Sequence, residues 1–150
     1  MKKALLSSLL LLVLVLELTD CYEPFIVFAG GSLSGEEVLA PVDWSELESI
    51  DTMQLETRPV DPYSVNIWAT GIGRDLYVGT GPDGTRWSGY MTEDPKVRFR
   101  VNGKVYRLLA RPVTDPEERL RVARAYVDKY DLDTDENWVM DALIFRLDRP

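Results

Sequence analysis

The chain has 150 residues, 45% of them apolar and 28% charged, with 17 Lys+Arg against 25 Asp+Glu. This is the size and make-up of one globular domain with a core of its own, rather than a disordered chain. The absence of His removes His-based triads, general bases and metal sites; one Cys removes a disulfide framework, a zinc ribbon and an iron–sulfur cluster; a net charge of -8 is the reverse of a nucleic-acid footprint.

Residues 1–20 read as a signal segment. Lys2 and Lys3 form a positive start and Ala4 to Leu16 an apolar run, the layout of a secretory signal. The run is shorter than the ~20 apolar residues a comfortable transmembrane helix needs. Leu18-Thr19-Asp20-Cys21 resembles the bacterial lipobox, with Asp20 where a small residue is usual. Three outcomes stay open: acylation at Cys21, an uncleaved signal-anchor, or cleavage after Ala29. Each carries the chain to the cell envelope, facing the periplasm or exterior; the first two hold it at the membrane. More than one acyl chain on Cys21 would give stable anchoring.

Residues 21–42, with Gly30, Gly31, Gly35 and Pro41, read as a tether to a domain at 43–150. Asp43 to Ile50 is a short helix candidate with Trp44 and Leu47 on one face. Gln54 to Val60 and Val65 to Thr70 follow as strands. The turn Gly71-Ile72-Gly73-Arg74 would fold the second of these back on Asp75 to Thr80. A loop, Gly81-Pro82-Asp83-Gly84, leads to a helix at Arg86 to Glu93. Lys96 to Val101 and Lys104 to Arg111 flank Asn102-Gly103, the residues of a type I′ turn. With Val101 opposite Lys104, Val97, Phe99, Val101, Tyr106 and Leu108 share a face, and the apolar pattern forbids a slip by one residue. Thr114-Asp115-Pro116-Glu117 starts a helix, either as a Thr-x-x-Glu capping box or with Asp115 as cap and Pro116 in the first turn. Its apolar stripe is Leu120, Ala123, Tyr126, Val127 and Tyr130. Ala142 to Leu147 closes the chain as a strand. The fold class is therefore mostly β with helices, a small antiparallel barrel.

The passage Asp94-Pro95-Lys96-Val97 through Tyr106 is similar to the helix-to-hairpin passage of the split β-barrel flavin-binding proteins, the pyridoxamine-phosphate-oxidase-like superfamily. Ala110 to Arg119 resembles the deazaflavin-dependent nitroreductase branch. Asn66-Ile67-Trp68, Asp75 to Val78 and Lys129-Tyr130 look closer still to an uncharacterised bacterial sister group. The resemblance covers residues 44–150. It implies a six-stranded split barrel, frequent dimerisation, and often FMN or deazaflavin near the dimer interface. The loop typical of the deazaflavin branch has no counterpart here.

Gly79-Thr80-Gly81-Pro82-Asp83-Gly84 is literally G-x-G-x-x-G, but Pro82-Asp83-Gly84 is turn chemistry rather than the opening of a Rossmann helix. By the resemblance, the segment before the small helix approaches the flavin. Thr80, Gly81, Arg86 and Trp87 are therefore the candidate cofactor-binding residues, with Arg86 for a phosphate or carboxylate and Trp87 to cover a ring, or else to plug the barrel. Arg98 joins them, because it should lie opposite Arg107 and like charges there need an offset. The offset is an anionic ligand, acids such as Glu117 or Glu118, a second subunit, or an acidic N-terminal arm laid on a basic hairpin. Residues 86–129 hold 11 basic and 6 acidic residues, whereas 21–61 hold 9 acids against Arg58. Asp131 to Asn137 begins like an EF-hand loop but lacks its Gly and its final Glu, so no metal is expected. Two functions remain. One is an envelope protein that binds a small ligand or a partner without catalysis. The other is an FMN- or deazaflavin-dependent oxidoreductase, where the cofactor does the chemistry.

Overall fold

The computed structural model describes residues 31–132 and 141–150. The signal segment, Cys21, the first part of the tether and most of the acidic turn after Asp131 lie outside the described residues.

The described strands are β1 (Glu36–Glu37), β2 (Met53–Thr57), β3 (Tyr63–Ile67), β4 (Ala69–Ile72), β5 (Asp75–Thr80), β6 (Lys96–Val101), β7 (Lys104–Pro112) and β8 (Leu143–Asp148). The helices are α1 (Arg86–Glu93) and α2 (Pro116–Tyr130), and a 3-10 turn spans Ser45–Ser49. Strands β2 to β8 form one antiparallel sheet in the order β3-β2-β6-β7-β8-β5-β4, and β1 lies parallel to the start of β7. The β6–β7 hairpin has the register its sequence requires, Val101 opposite Lys104 and Arg98 opposite Arg107. Asn102 and Gly103 both have positive φ, 50° and 72°, the I′ geometry.

Alternation along each strand sorts side chains to two faces. Leu55, Val78, Val97, Phe99, Leu108, Phe145 and Leu147 point inward to the main core. Each fully buried large apolar side chain contributes ~1.5–3 kcal/mol. Trp44 closes the core against Phe99 and Tyr106, with ring centres 5.9 and 5.1 Å apart and edge-to-face. Trp87 and Met91 of α1 close it from another side. Gly71 lets the Trp44 segment approach; a Cβ there would sit 2.2 Å from the Trp44 carbonyl oxygen. On the outer face, α2 covers β4, β5 and β8 with a second core of Tyr77, Val122, Ala123, Tyr126 and Ile144.

Three local expectations change, and one alternative left open is decided. The strand expected over Gln54 to Val60 stops at Thr57, because Arg58 takes a left-handed φ of 54° and Asp61 N–H closes a turn on its carbonyl. The single strand expected over Val65 to Thr70 is two: β3 pairs with β2, β4 pairs with β5, and the chain crosses between them at Trp68. Asp115, not Thr114, caps α2, accepting from Glu118 N–H at 2.8 Å with Pro116 in the first turn. Val122 is fully buried, while Leu120 and Val127 of the expected stripe are half-buried.

The part of the expected tether that is described does not hang free. Leu33 is buried, its N–H bonds the Glu56 carboxylate, and Val38 N–H bonds the Val105 carbonyl. Residues 31–42 form an arm: Ser32, Leu33 and Glu37 meet the outward-facing Glu56, Arg98 and Arg107, β1 pairs with the start of β7, and Val38 and Ala40 pack against the main core.

Candidate functional site

The crossing at Trp68 sets the site. Because β4 begins at Ala69, which pairs with Val78, Gly79 and Thr80 extend past the end of β4. Opposite them runs β3, which pairs only with β2. A cleft of about 520 Å³ opens between these elements, lined by Thr52, Asn66, Ile67, Trp68, Gly79, Thr80 and Trp87.

Three side chains of α2 hold the crossing. Tyr126 Oη donates to the carbonyls of Trp68 and Tyr77 at 3.1 and 3.3 Å. Tyr130 Oη accepts from Ala69 N–H and donates to Ala69 C=O, both at 2.9 Å. Lys129 Nζ donates to the carbonyls of Leu47 and Ala69 at 2.6 and 2.7 Å. These bonds satisfy backbone groups that leave the sheet ladder at the break. The Tyr130 ring stacks on Trp68, centre to centre 4.6 Å and 11° from parallel. Trp68 is nevertheless 50% exposed. One indole face is fixed by Tyr130, and the cleft takes in the rest of the side chain.

Burial raises the pKa of all three buried or half-buried hydroxyls on this side. Tyr77 and Tyr130 are pushed up to about 12, and Tyr126 higher still. The Lys129 ammonium is lowered by the same loss of water. The tyrosines' folded values lie above the ordinary 10. Their contribution to stability is thus complete below pH 10 and lost as pH rises through about 12. Alkaline titration should therefore hold back part of the tyrosinate absorbance until the near-ultraviolet circular dichroism is lost, between pH 10 and 12. A full tyrosinate rise completed near pH 10 with the fold intact would contradict these environments.

The sequence-named residues divide. Thr80 and Trp87 line the cleft. Trp87 is also part of the main core, so it serves as wall and plug together. Gly81 lies just outside, in a turn closed by Gly84 N–H on the Gly81 carbonyl. The helix opens only after that turn, capped reciprocally by Thr85 and Ser88, so the glycines are not a dinucleotide fingerprint. Arg86 is exposed, its guanidinium 5.8 Å from the centre of the Tyr63 ring.

Arg98 belongs to a different constellation. It donates to both oxygens of Glu56 at 3.1 and 2.8 Å, to Glu37 at 3.2 Å and to Ser32 Oγ at 3.2 Å. Glu37 also receives two bonds from Arg107, at 2.9 and 2.7 Å, and these hold its carboxyl below the usual range. Glu37 thus bridges the two facing arginines. Of the offsets weighed from the sequence, the acidic arm is the one present. Glu118 bonds Tyr77 Oη and Arg146 instead, both at 2.8 Å. Sequence reasoning passed over Thr52, Asn66 and Trp68 as site residues. The available signal was Trp68 itself, a large aromatic at a position that alternation assigns to solvent.

No family model matches the chain, and no curated protein matches it. Solved structures do. A conserved hypothetical protein of Mycobacterium tuberculosis superposes with a TM-score of 0.53 at 22% identity, over 67% of this chain and 73% of that one. The fold is the split β-barrel. The heme storage protein HutZ of Vibrio cholerae is similar with a TM-score of 0.55 at 14% identity, over 70% and 86% of the two chains. An FAD-binding protein of Mesorhizobium loti gives 0.51 at 16%, over 69% and 84%. In this split barrel the split is the crossing at Trp68, and the candidate cleft is the opening it leaves. Among the described residues no cluster of Cys, Asp or Glu is arranged to hold a metal ion, and no helix is long and apolar enough to cross a membrane.

Proposed function

We propose that the chain is an exported split-barrel protein, anchored at Cys21, that holds a planar small molecule in the Trp68–Trp87 cleft without transforming it. The observation that carries the ligand part is Trp68: a half-exposed indole, rigidly backed by Tyr130, at the mouth of a cleft. Such a pre-set ring binds another ring at little ordering cost. Asn66 and Thr80 add hydrogen-bonding groups at the edge. The lining carries no charge, which suits a ring system and offers no acid or base. Two proteins of similar fold are described by planar ligands, heme in one and FAD in the other. The anchoring part rests on the sequence of residues 1–21.

A flavin-dependent oxidoreductase is the second reading, supported by the likeness to the FAD-binding protein. When bound, a flavin would supply hydride or electron transfer. The residues suit its ring better than its phosphate. Trp68 and the strand ends at Thr80 would meet the ring; Arg98 is committed to Glu56 and Glu37, which leaves Arg86 as the nearest of the named cations.

Tryptophan quenching by riboflavin, FMN and hemin tests both readings. Saturable micromolar binding is expected, with riboflavin and FMN within about threefold of each other. An FMN preference of tenfold or more, abolished by Arg86→Ala, would favour the oxidoreductase reading. No quenching by any planar ligand at tens of micromolar would end the ligand proposal.

A further inference from the structure

Strands β3, β2 and β6 run side by side, and Asn66, Gln54 and Arg100 stand opposite one another across them. Facing positions put the three side chains on one side of the sheet. Arg100 Nη1 donates to Gln54 Oε1 at 2.6 Å, and Gln54 Nε2 donates to Asn66 Oδ1 at 3.5 Å. The row thus leads from Arg100 through the buried Gln54 to Asn66, which is exposed and lines the cleft.

Only the arginine end of this row has a polarity of its own. An amide can turn over and exchange its oxygen for its nitrogen, whereas a guanidinium has donors alone. Arg100 therefore draws the Gln54 oxygen to itself. The Gln54 NH2 is left for Asn66, which meets it with oxygen. The Asn66 NH2 remains, and it has no hydrogen-bond partner among the described residues. The rest of the lining agrees with this polarity. The indole N–H groups of Trp68 and Trp87 only donate, and the hydroxyls of Thr52 and Thr80 take either role.

Building on the ligand part of the reading above, we propose that Asn66 determines specificity as a fixed donor: the cleft takes planar rings whose edge carries acceptors, ring carbonyls or ring nitrogens without hydrogen, over rings with a bare or donor edge. Gln54 and Arg100 are positioning residues that set the Asn66 amide. A ligand N–H against the Asn66 NH2 would leave donor facing donor. Turning Asn66 over only moves that clash to Gln54, and turning Gln54 moves it to the guanidinium, so the mismatch is not relieved anywhere in the row.

Anthraquinone-2-sulfonate and anthracene-2-sulfonate, titrated calorimetrically into the full chain, test this. The probes share three rings and one charge and differ in the two ring carbonyls. The quinone should bind about three- to tenfold tighter, the range of one neutral hydrogen bond. Asn66→Ala should remove most of that preference. Gln54→Glu should do the same, although Gln54 does not line the cleft, because a carboxylate accepts from Arg100 and from Asn66 alike and so turns the Asn66 oxygen to the ligand. Arg100→Lys, still donor-only, should keep the preference. Unchanged circular dichroism checks the fold of each variant. Equal affinity of the parent chain for the two probes would overturn the donor assignment and leave the ligand reading standing. Binding of neither probe would end both. A preference that survives Gln54→Glu but not Asn66→Ala would overturn the role of Gln54, and one that survives both would overturn that of Asn66.

Discussion

Arg98→Met should destabilise the domain by about 3–5 kcal/mol, the usual cost of leaving one member of a buried pair alone. Glu56 is 1% exposed. Its carboxylate accepts from Arg98, from Leu33 N–H and from Ser32 Oγ. Without the guanidinium, the charge keeps two hydrogen bonds and no counter-ion. Urea titration followed by tryptophan fluorescence measures the effect. Arg98→Met/Glu56→Met should recover most of the loss, because matched apolar replacement of an ion pair is often neutral. A single variant within 1 kcal/mol of the parent would mean that water already reaches Glu56. The arm should loosen in the single variant as well, since Leu33 and Ser32 are held through the same carboxylate.

Trp68→Ala should weaken binding of a planar ligand by about tenfold or more, in keeping with ~1–3 kcal/mol for stacking on an aromatic platform. The same change should cost little stability, about 1 kcal/mol, because half of the indole is already in water and its backbone carbonyl still meets Tyr126. Trp68→Phe should restore most of the affinity. Loss of the fold in Trp68→Ala would make the indole a structural member instead, and unchanged affinity would move the ligand elsewhere.

What could be read from the sequence was local. Asn102-Gly103 dictates its own turn and thereby the pairing of Arg98 with Arg107. Thr85 and Ser88 delimit α1, whose span Arg86–Glu93 is as expected. The acidic arm over the basic hairpin was legible as one alternative, because charge segregation survives without knowing the topology. The crossing at Trp68 was not. Residues 65–70 alternate as one strand would, and the break depends on Tyr126, Lys129 and Tyr130, about sixty residues away in sequence. The cleft depends on that break, so Asn66 and Trp68 were hidden with it, while Thr80 and Trp87 were reached by resemblance. Arg98 was grouped with them for its charge, and its partners come from strands that only the fold brings together.

The arrangement around β7 bears on how the chain can go wrong. One side of this long strand is paired by β6 from Lys104 to Leu109, but its other side is shared. β8 takes Leu109 to Pro112, and β1 takes Lys104 and Val105. The pieces come from opposite ends of the sequence, so this border is among the last to be sealed as the chain folds, given the entropy of closing such long loops. Until the arm docks, the start of β7 presents open amides and carbonyls beside the apolar Val105, and an open strand border recruits other chains. Two residues of β1 thus act as a guard against self-association. Truncation upstream of Val38 would be felt first as precipitation during refolding rather than as a lower melting temperature.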